Sequence, residues 1–305
     1  MLQHYPDPGI DCRVADSRRW WQAITMPELR IVISGDALEI FMFERQWWPG
    51  GHRKLLQHQQ YPLAGNAQES LPPEACWQTL NEVLTPLAGQ RWHIVIVVSD
   101  QYSRWLVLPW QAEIRSKAER QAYYSHGLQQ AFGPQLFSGE MQDWDVQSQA
   151  GAYGKHVLIN AMPRGLTEKL HTLFAEHRLR PGMIAPAWML SANQALHHMR
   201  RQKLPQDGWI ISRESGSLTV ACLLQGEWQQ IRYLPIDGQW RDSLHQYLLR
   251  EQVMHAEWVS LPVYLPQAQW SGISGKALSP FTLVDVQPEL WLGDAFHQQL
   301  RRRLA

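Results

Sequence analysis

Residues Gly208 to Ile236 read GWIISRESGSLTVACLLQGEWQQIRYLPI, and this stretch decides the fold. It holds three short apolar runs, Trp209–Ser212, Leu218–Leu224 and Gln229–Leu234. Glu214-Ser215-Gly216-Ser217 separates the first two, and Gln225-Gly226-Glu227 the next two. Short β-branched runs broken by polar stretches with glycine predict an antiparallel meander of three strands. A helical pattern follows from Trp240, with Leu244, Leu248, Leu249 and Val253 spaced for one apolar face. Glu257–Leu261 then reads as a strand.

The same order occurs near the start. Leu29–Ser34, Ala37–Glu44 and Leu55–Tyr61 predict strands, Pro73–Leu87 a helix and Trp92–Ser99 a buried strand with the run HIVIVV. Gly35-Asp36 lies between the first two strands and suits a tight turn needing positive φ. A β-β-β-α-β order repeated in one chain predicts an α/β protein of two lobes. Between the repeats, Tyr102–Leu108, Met141–Val146, His156–Asn160 and Gly182–Pro186 read as extended, while Lys117–Phe132, Leu166–His177 and Ala187–Met199 read as helices. Phe281–Val286 reads as a strand and Glu289–Arg303 as a closing helix. Its Arg301-Arg302-Arg303 end complements the helix dipole. The expected division is an irregular arm over 1–28, a first lobe with an insertion and connecting helices over 29–203, and a second lobe over 204–305. Leu204-Pro205-Gln206-Asp207 marks the boundary.

At 305 residues the chain is long enough for two such lobes with ample core. Its 28 basic and 28 acidic residues balance, so no general attraction to nucleic acid or anionic lipid is implied. Cys12, Cys76 and Cys222 are too few and too scattered for a disulfide framework or a zinc site, which favours a reducing compartment. No basic n-region with an apolar stretch opens the sequence, and no apolar run has the length of about 18 residues that a spanning helix needs. Most of the 16 tryptophans are expected in the core. The doublets Trp20-Trp21 and Trp47-Trp48 sit beside polar or turn residues and are candidate partner contacts.

The segment HVLINAMPRGLTEKLHTLFAEHRLRPGMIAPAWMLSANQAL, residues 156–196, resembles the part joining the two lobes in PilM of type IV pili. It is similar also to the cytoplasmic domain of GspL in type II secretion, and SDQYSRWLVLPW followed by KAERQAYYSHGLQQAFG resembles the GspL side more closely. The resemblance is one of order and spacing over residues 29–305. It implies an actin-like fold of two ribonuclease-H-like lobes around a cleft. The implied role is an adaptor of an inner-membrane pilus or secretion assembly, bound to the cytoplasmic tail of a membrane protein or to a secretion ATPase. The implied location is the cytoplasm, at the inner membrane through that partner.

Actin-like nucleotide enzymes cradle phosphates on Asp-x-Gly turns in both meanders, with backbone N–H groups as donors. Here Ile33 stands in the place of the first carboxylate, and the strand Ala37-Leu38-Glu39-Ile40 lacks the lysine typical of PilM. The second turn keeps Glu214, Gly216 and Thr219, with Arg213 placed to neutralise the glutamate. Gly35, Glu214, Gly216 and Thr219 are therefore the candidates if ATP with magnesium binds. The departures favour a noncatalytic protein with no cofactor.

Other chemistry has little support. No P-loop string and no His-Glu-x-x-His occur. His197 and His198 are adjacent, which sets their side chains about 100° apart on a helix, and His171 and His177 are also poorly spaced, so no metal is expected. Ser271-Gly272-Ile273-Ser274-Gly275 reads as a flexible loop rather than a nucleophile elbow. Asp143 and Asp145 would share a strand face, where charge discourages unwanted pairing.

Overall fold

The computed structural model describes residues 26–44, 54–63, 71–133, 143–150, 154–214, 216–236, 240–266 and 278–286. The tryptophan doublets, the amino-terminal arm to residue 25, the 271–275 loop and the expected closing helix lie outside the described residues.

Both meanders form. The first comprises β1 (Glu28–Ile33), β2 (Ala37–Phe43) and β3 (Leu55–Pro62), followed by α1 (Glu74–Leu84) and β4 (His93–Val98). With β8 (Pro181–Pro186) they make a sheet of order β3-β2-β1-β4-β8. The second comprises β9 (Gly208–Glu214), β10 (Ser217–Leu224), β11 (Glu227–Pro235), α5 (Trp240–Met254), β12 (Val263–Pro266) and β13 (Leu283–Val286), with sheet order β11-β10-β9-β12-β13. The two sheets match strand for strand. Each pairs its first strand antiparallel with the second and parallel with the strand after the helix: Ile31 opposes Ile40 and Ile96, while Trp209 opposes Cys222 and Val263.

The central strands are mostly apolar because both faces of each sheet are covered, with Glu28, Arg30 and Glu39 as buried charged exceptions in β1 and β2. On the first sheet, α1 presents Trp77, Leu80 and Leu84 to Leu29, Ile31 and Ile96. The helix α3 (Arg164–Glu176) adds Leu166, Leu170 and Phe174 to the same core. The second sheet carries α5 on one face. On the other lies α4 (Ala187–Arg201), whose Trp188, Ala192, Leu196 and Met199 pack with Ile210, Ala221 and Tyr264.

A third sheet of order β5-β7-β6 is inserted between β4 and β8, from β5 (Arg104–Leu108), β6 (Trp144–Ala150) and β7 (Val157–Pro163). The helix α2 (Lys117–Phe132) packs on it through Tyr124 and Leu128. Its start is fixed by a capping box: the Glu119 amide donates to Ser116 Oγ at 3.1 Å, and the Ser116 amide to the Glu119 carboxylate at 2.9 Å. Asp143 precedes β6, and Asp145 is tied to the first turn of α3, 3.5 Å from Arg164 Nε and accepting from the Thr167 hydroxyl.

Two local expectations fail for packing reasons. Glu257–Leu261 is not a strand: Ala256–Trp258 makes a 3-10 turn, and the strand begins at Val263. That turn drives the Trp258 ring edge-on to Trp209 at 5.4 Å, with His255 stacked on its outer side at 3.7 Å. The buried face of α5 is also rotated from the expected one. Leu249 is 37% exposed and Val253 85%, while Tyr247 and Glu251 take the inner positions. Gln230 Nε2 of β11 donates to both, at 3.2 Å to the Tyr247 hydroxyl and 3.0 Å to the Glu251 carboxylate. Tyr247 also packs in the second core, edge-on to Trp209 at 6.3 Å.

Candidate functional site

The site grows from the carboxyl end of β4. Ser99 and Asp100 follow its last apolar residue and are buried. A charged group can sit there only if donors surround it. Asp100 Oδ1 accepts from the Trp188 amide at 3.1 Å, and Oδ2 from the Thr219 hydroxyl at 3.0 Å. The Trp188 amide belongs to the first turn of α4, whose cap residue Pro186 supplies no side-chain bond. Asp100 thus caps that helix from a distant part of the chain. The Trp105 indole faces the same carboxylate without closing a hydrogen bond. One aspartate therefore joins the first lobe, the helix α4 and the second lobe.

Glu214, at the end of β9, reaches back across the junction. It is half-buried as a residue, with its carboxyl tip turned inward. Its Oε2 accepts from Ser99 Oγ at 2.9 Å and from the Asp100 amide at 2.8 Å. Burial raises the Glu214 carboxyl well above the ordinary range, the Asp100 charge raises it further, and the two hydrogen bonds oppose the rise only in part. Burial likewise raises Asp100, against the donors from Trp188 and Thr219. Two enclosed carboxyl groups in such proximity resist holding two negative charges. Arg213, the cation expected beside Glu214, is turned toward an aromatic ring. Successive strand residues point to opposite faces, and its guanidinium lies 4.7 Å from the Trp240 ring centre.

The first turn is closed on itself. The Ser34 amide donates to the Ala37 carbonyl at 2.9 Å, and Ser34 Oγ donates to Asp36 Oδ1 at 2.9 Å. Gly35 does not adopt the positive φ expected of it. Glycine is needed there for another reason: a Cβ would lie 2.5 Å from Oε1 of Gln101, whose side chain rests on the turn. Ile33 points into the first core, in the same cluster as Val98. Gly216 does sit in the left-handed region, at φ 79°, and faces open space.

Of the four residues expected at a phosphate cradle, Glu214 and Thr219 meet at one junction with Asp100, while Gly35 lies under Gln101. The Thr219 hydroxyl and the Asp100 amide both donate within the protein, and the Gln101 side chain lies against the first turn. Among the described residues no cluster of three or more His, Cys, Asp or Glu side chains is placed to hold a metal. Asp100 itself escapes sequence reasoning because its partners lie 88 to 119 positions away. The one available signal is an ionisable residue two positions after the buried apolar run over residues 94–98.

The junction has a second fastening. Glu227, the first residue of β11, accepts from Lys155 Nζ at 2.8 Å and from the His156 amide at 2.6 Å. Beside it, the Trp188 ring meets Trp105 at 4.8 Å and Trp228 at 5.1 Å, both edge-on.

Two lobes with matching sheets, joined across a central junction, define the actin-like fold. Solved structures that share it include the PilM–PilN type IV pilus biogenesis complex, at 15% identity over 90% of this chain and 94% of that one, with a TM-score of 0.59. Another is the cytoplasmic domain of EpsL, an inner membrane component of the type II secretion system of Vibrio cholerae, at 11% identity over 91% of this chain and 94% of that one, TM-score 0.51. A protein of Bacteroides thetaiotaomicron with an actin-like ATPase fold and unknown function matches at 12% identity over 91% and 95%, TM-score 0.53. No family model and no curated protein matches the sequence. Among the described residues no helix is long and apolar enough to cross a membrane.

Proposed function

We propose that this chain is a noncatalytic actin-like adaptor of an inner-membrane pilus or secretion assembly, working in the cytoplasm through protein contacts. The observation that carries the reading is the junction itself. Ser99, Asp100, Glu214 and Thr219 hydrogen-bond to one another at the corner that the resemblance assigns to phosphate, and Gln101 lies against Gly35. The likeness to the PilM–PilN complex and to the EpsL cytoplasmic domain supports the setting. The partner would be the cytoplasmic tail of an inner-membrane protein or a secretion ATPase. Trp20, Trp21, Trp47 and Trp48 remain the candidate contacts. Calorimetric titration of the full chain with tail peptides from a pilus or secretion system tests this, with affinity expected for one of them and no heat from Mg-ATP. Failure of every such peptide and of the secretion ATPase to bind would overturn it.

A second reading, an ATP-binding switch, draws on the open corner at Gly216. It requires nucleotide to displace Gln101 from Gly35 and Glu214 from Ser99. A rise in melting temperature with millimolar Mg-ATP would favour it over the first.

A further inference from the structure

The two fastenings between the lobes lie at opposite ends of β10: Ser217 begins the strand beside Glu214, and Leu224 ends it beside Glu227. At strand rise they stand roughly 24 Å apart. They differ in kind. The Glu227 end is a carboxylate with a cationic partner, Lys155, backed by three packed indoles. The Glu214 end is a carboxyl facing another carboxyl. Among the described residues, the groups that act on that end are these. Asp36 of the first turn adds a negative charge, and ionisation of Tyr233 of β11 is opposed by burial first and then by Glu214 and Asp100. Arg104 spends Nη1 on the Gln101 and Ser103 carbonyls at 2.8 Å each, and Arg213 stacks on Trp240.

We propose that Asp100 and Glu214 form a proton-dependent latch between the lobes, closed while the pair holds a proton and released when both carboxyls ionise, with the Glu227 end as the pivot. With the proton present, Asp100 carries the charge among its donors from Trp188 and Thr219, and neutral Glu214 accepts from Ser99 and the Asp100 amide. Loss of the proton places two anions in one enclosed space. Separating the β9–β10 turn from Ser99–Asp100 lets water reach both.

Hydrogen exchange on the full chain, corrected for intrinsic rate, tests the latch at pH 6 and pH 9. The Asp100 and Trp188 amides should exchange at least ten-fold faster at pH 9, while the His156 amide, bound to Glu227, keeps its protection. Glu214→Gln and Asp100→Asn each remove one of the two charges, and each should hold the pH 9 rate at the pH 6 value. Equal protection of Asp100 and Trp188 at both pH values in the wild type would overturn the proposal. So would acceleration of His156 together with them, which is global opening. Acceleration that persists in both variants would count equally against it. None of these outcomes depends on a partner, so they separate from failure of the adaptor reading.

Discussion

The Thr219 hydroxyl donates to Asp100 across 3.0 Å, joining residues 119 positions apart and two lobes whose sheets repeat one plan. Asp100→Ala removes this bond, the cap on α4 and an acceptor for two buried donors. A lost cap costs typically about 1 kcal/mol and an unpaired buried donor about 1–3 kcal/mol. Relief of the repulsion on Glu214 offsets part of that. The expected net loss in urea unfolding is about 1–3 kcal/mol, with Asp100→Asn milder because its amide oxygen still accepts.

The stability of the chain against pH should form a dome, with each side set by a different glutamate. Glu214 is raised in the folded protein from 4.5 to about 8. The folded state therefore holds more protons than the unfolded state between those values, so stability is full below the unfolded value and falls as pH rises toward 8. Glu227 behaves oppositely. Its partial burial pushes it up, but the bonds from Lys155 and the His156 amide prevail and hold it below the ordinary range. Its contribution is present above the unfolded value and is lost as pH falls through the folded one. Chemical denaturation from pH 3 to pH 9 should show Glu214→Gln flattening the alkaline side and Glu227→Gln the acidic side.

The two turn glycines should respond differently to alanine. Gly35→Ala pushes a Cβ against the far end of the Gln101 side chain, so the cost is that of moving one amide, and Gln101→Ala should restore the loss. Gly216→Ala meets no atom but must hold φ 79°, which costs an L residue roughly 1–2 kcal/mol and has no second-site cure. A double-mutant cycle at Gly35 and Gln101, with Gly216→Ala beside it, separates crowding from backbone strain.

The sequence carried the fold where local pattern and burial agree. The runs HIVIVV and SLTVACLL are mostly apolar because covered sheets favour it, and polar stretches with glycine separate the meander strands. It was silent where a contact joins distant positions. Nothing near SDQY shows that Asp100 will face Thr219 and Glu214, nor that Gln101 will occupy the space over Gly35. Helical spacing likewise marks α5 but misplaces its inner face, where Tyr247 and Glu251 meet Gln230 of β11 and Tyr247 meets Trp209.

The tryptophan cluster should be the costliest single site in the junction. Trp188 is fully buried and touches Trp105 of the inserted sheet and Trp228 of the second lobe. Truncation to alanine leaves a cavity among three bodies that cannot all collapse at once, at about 3–5 kcal/mol.

On α5 the inner and outer faces should separate cleanly. Leu248 is buried in the second core beside Trp209 and Val263, and Leu248→Ala should cost about 2–5 kcal/mol. Val253, at 85% exposure, has little to lose, and Val253→Ser should stay within about 0.5 kcal/mol of the parent. Sequence spacing alone puts Leu248 and Val253 on one apolar strip and predicts comparable losses for both. Urea denaturation of the two variants side by side distinguishes these outcomes. A large loss at Val253 would mean that another surface covers the end of α5 in solution.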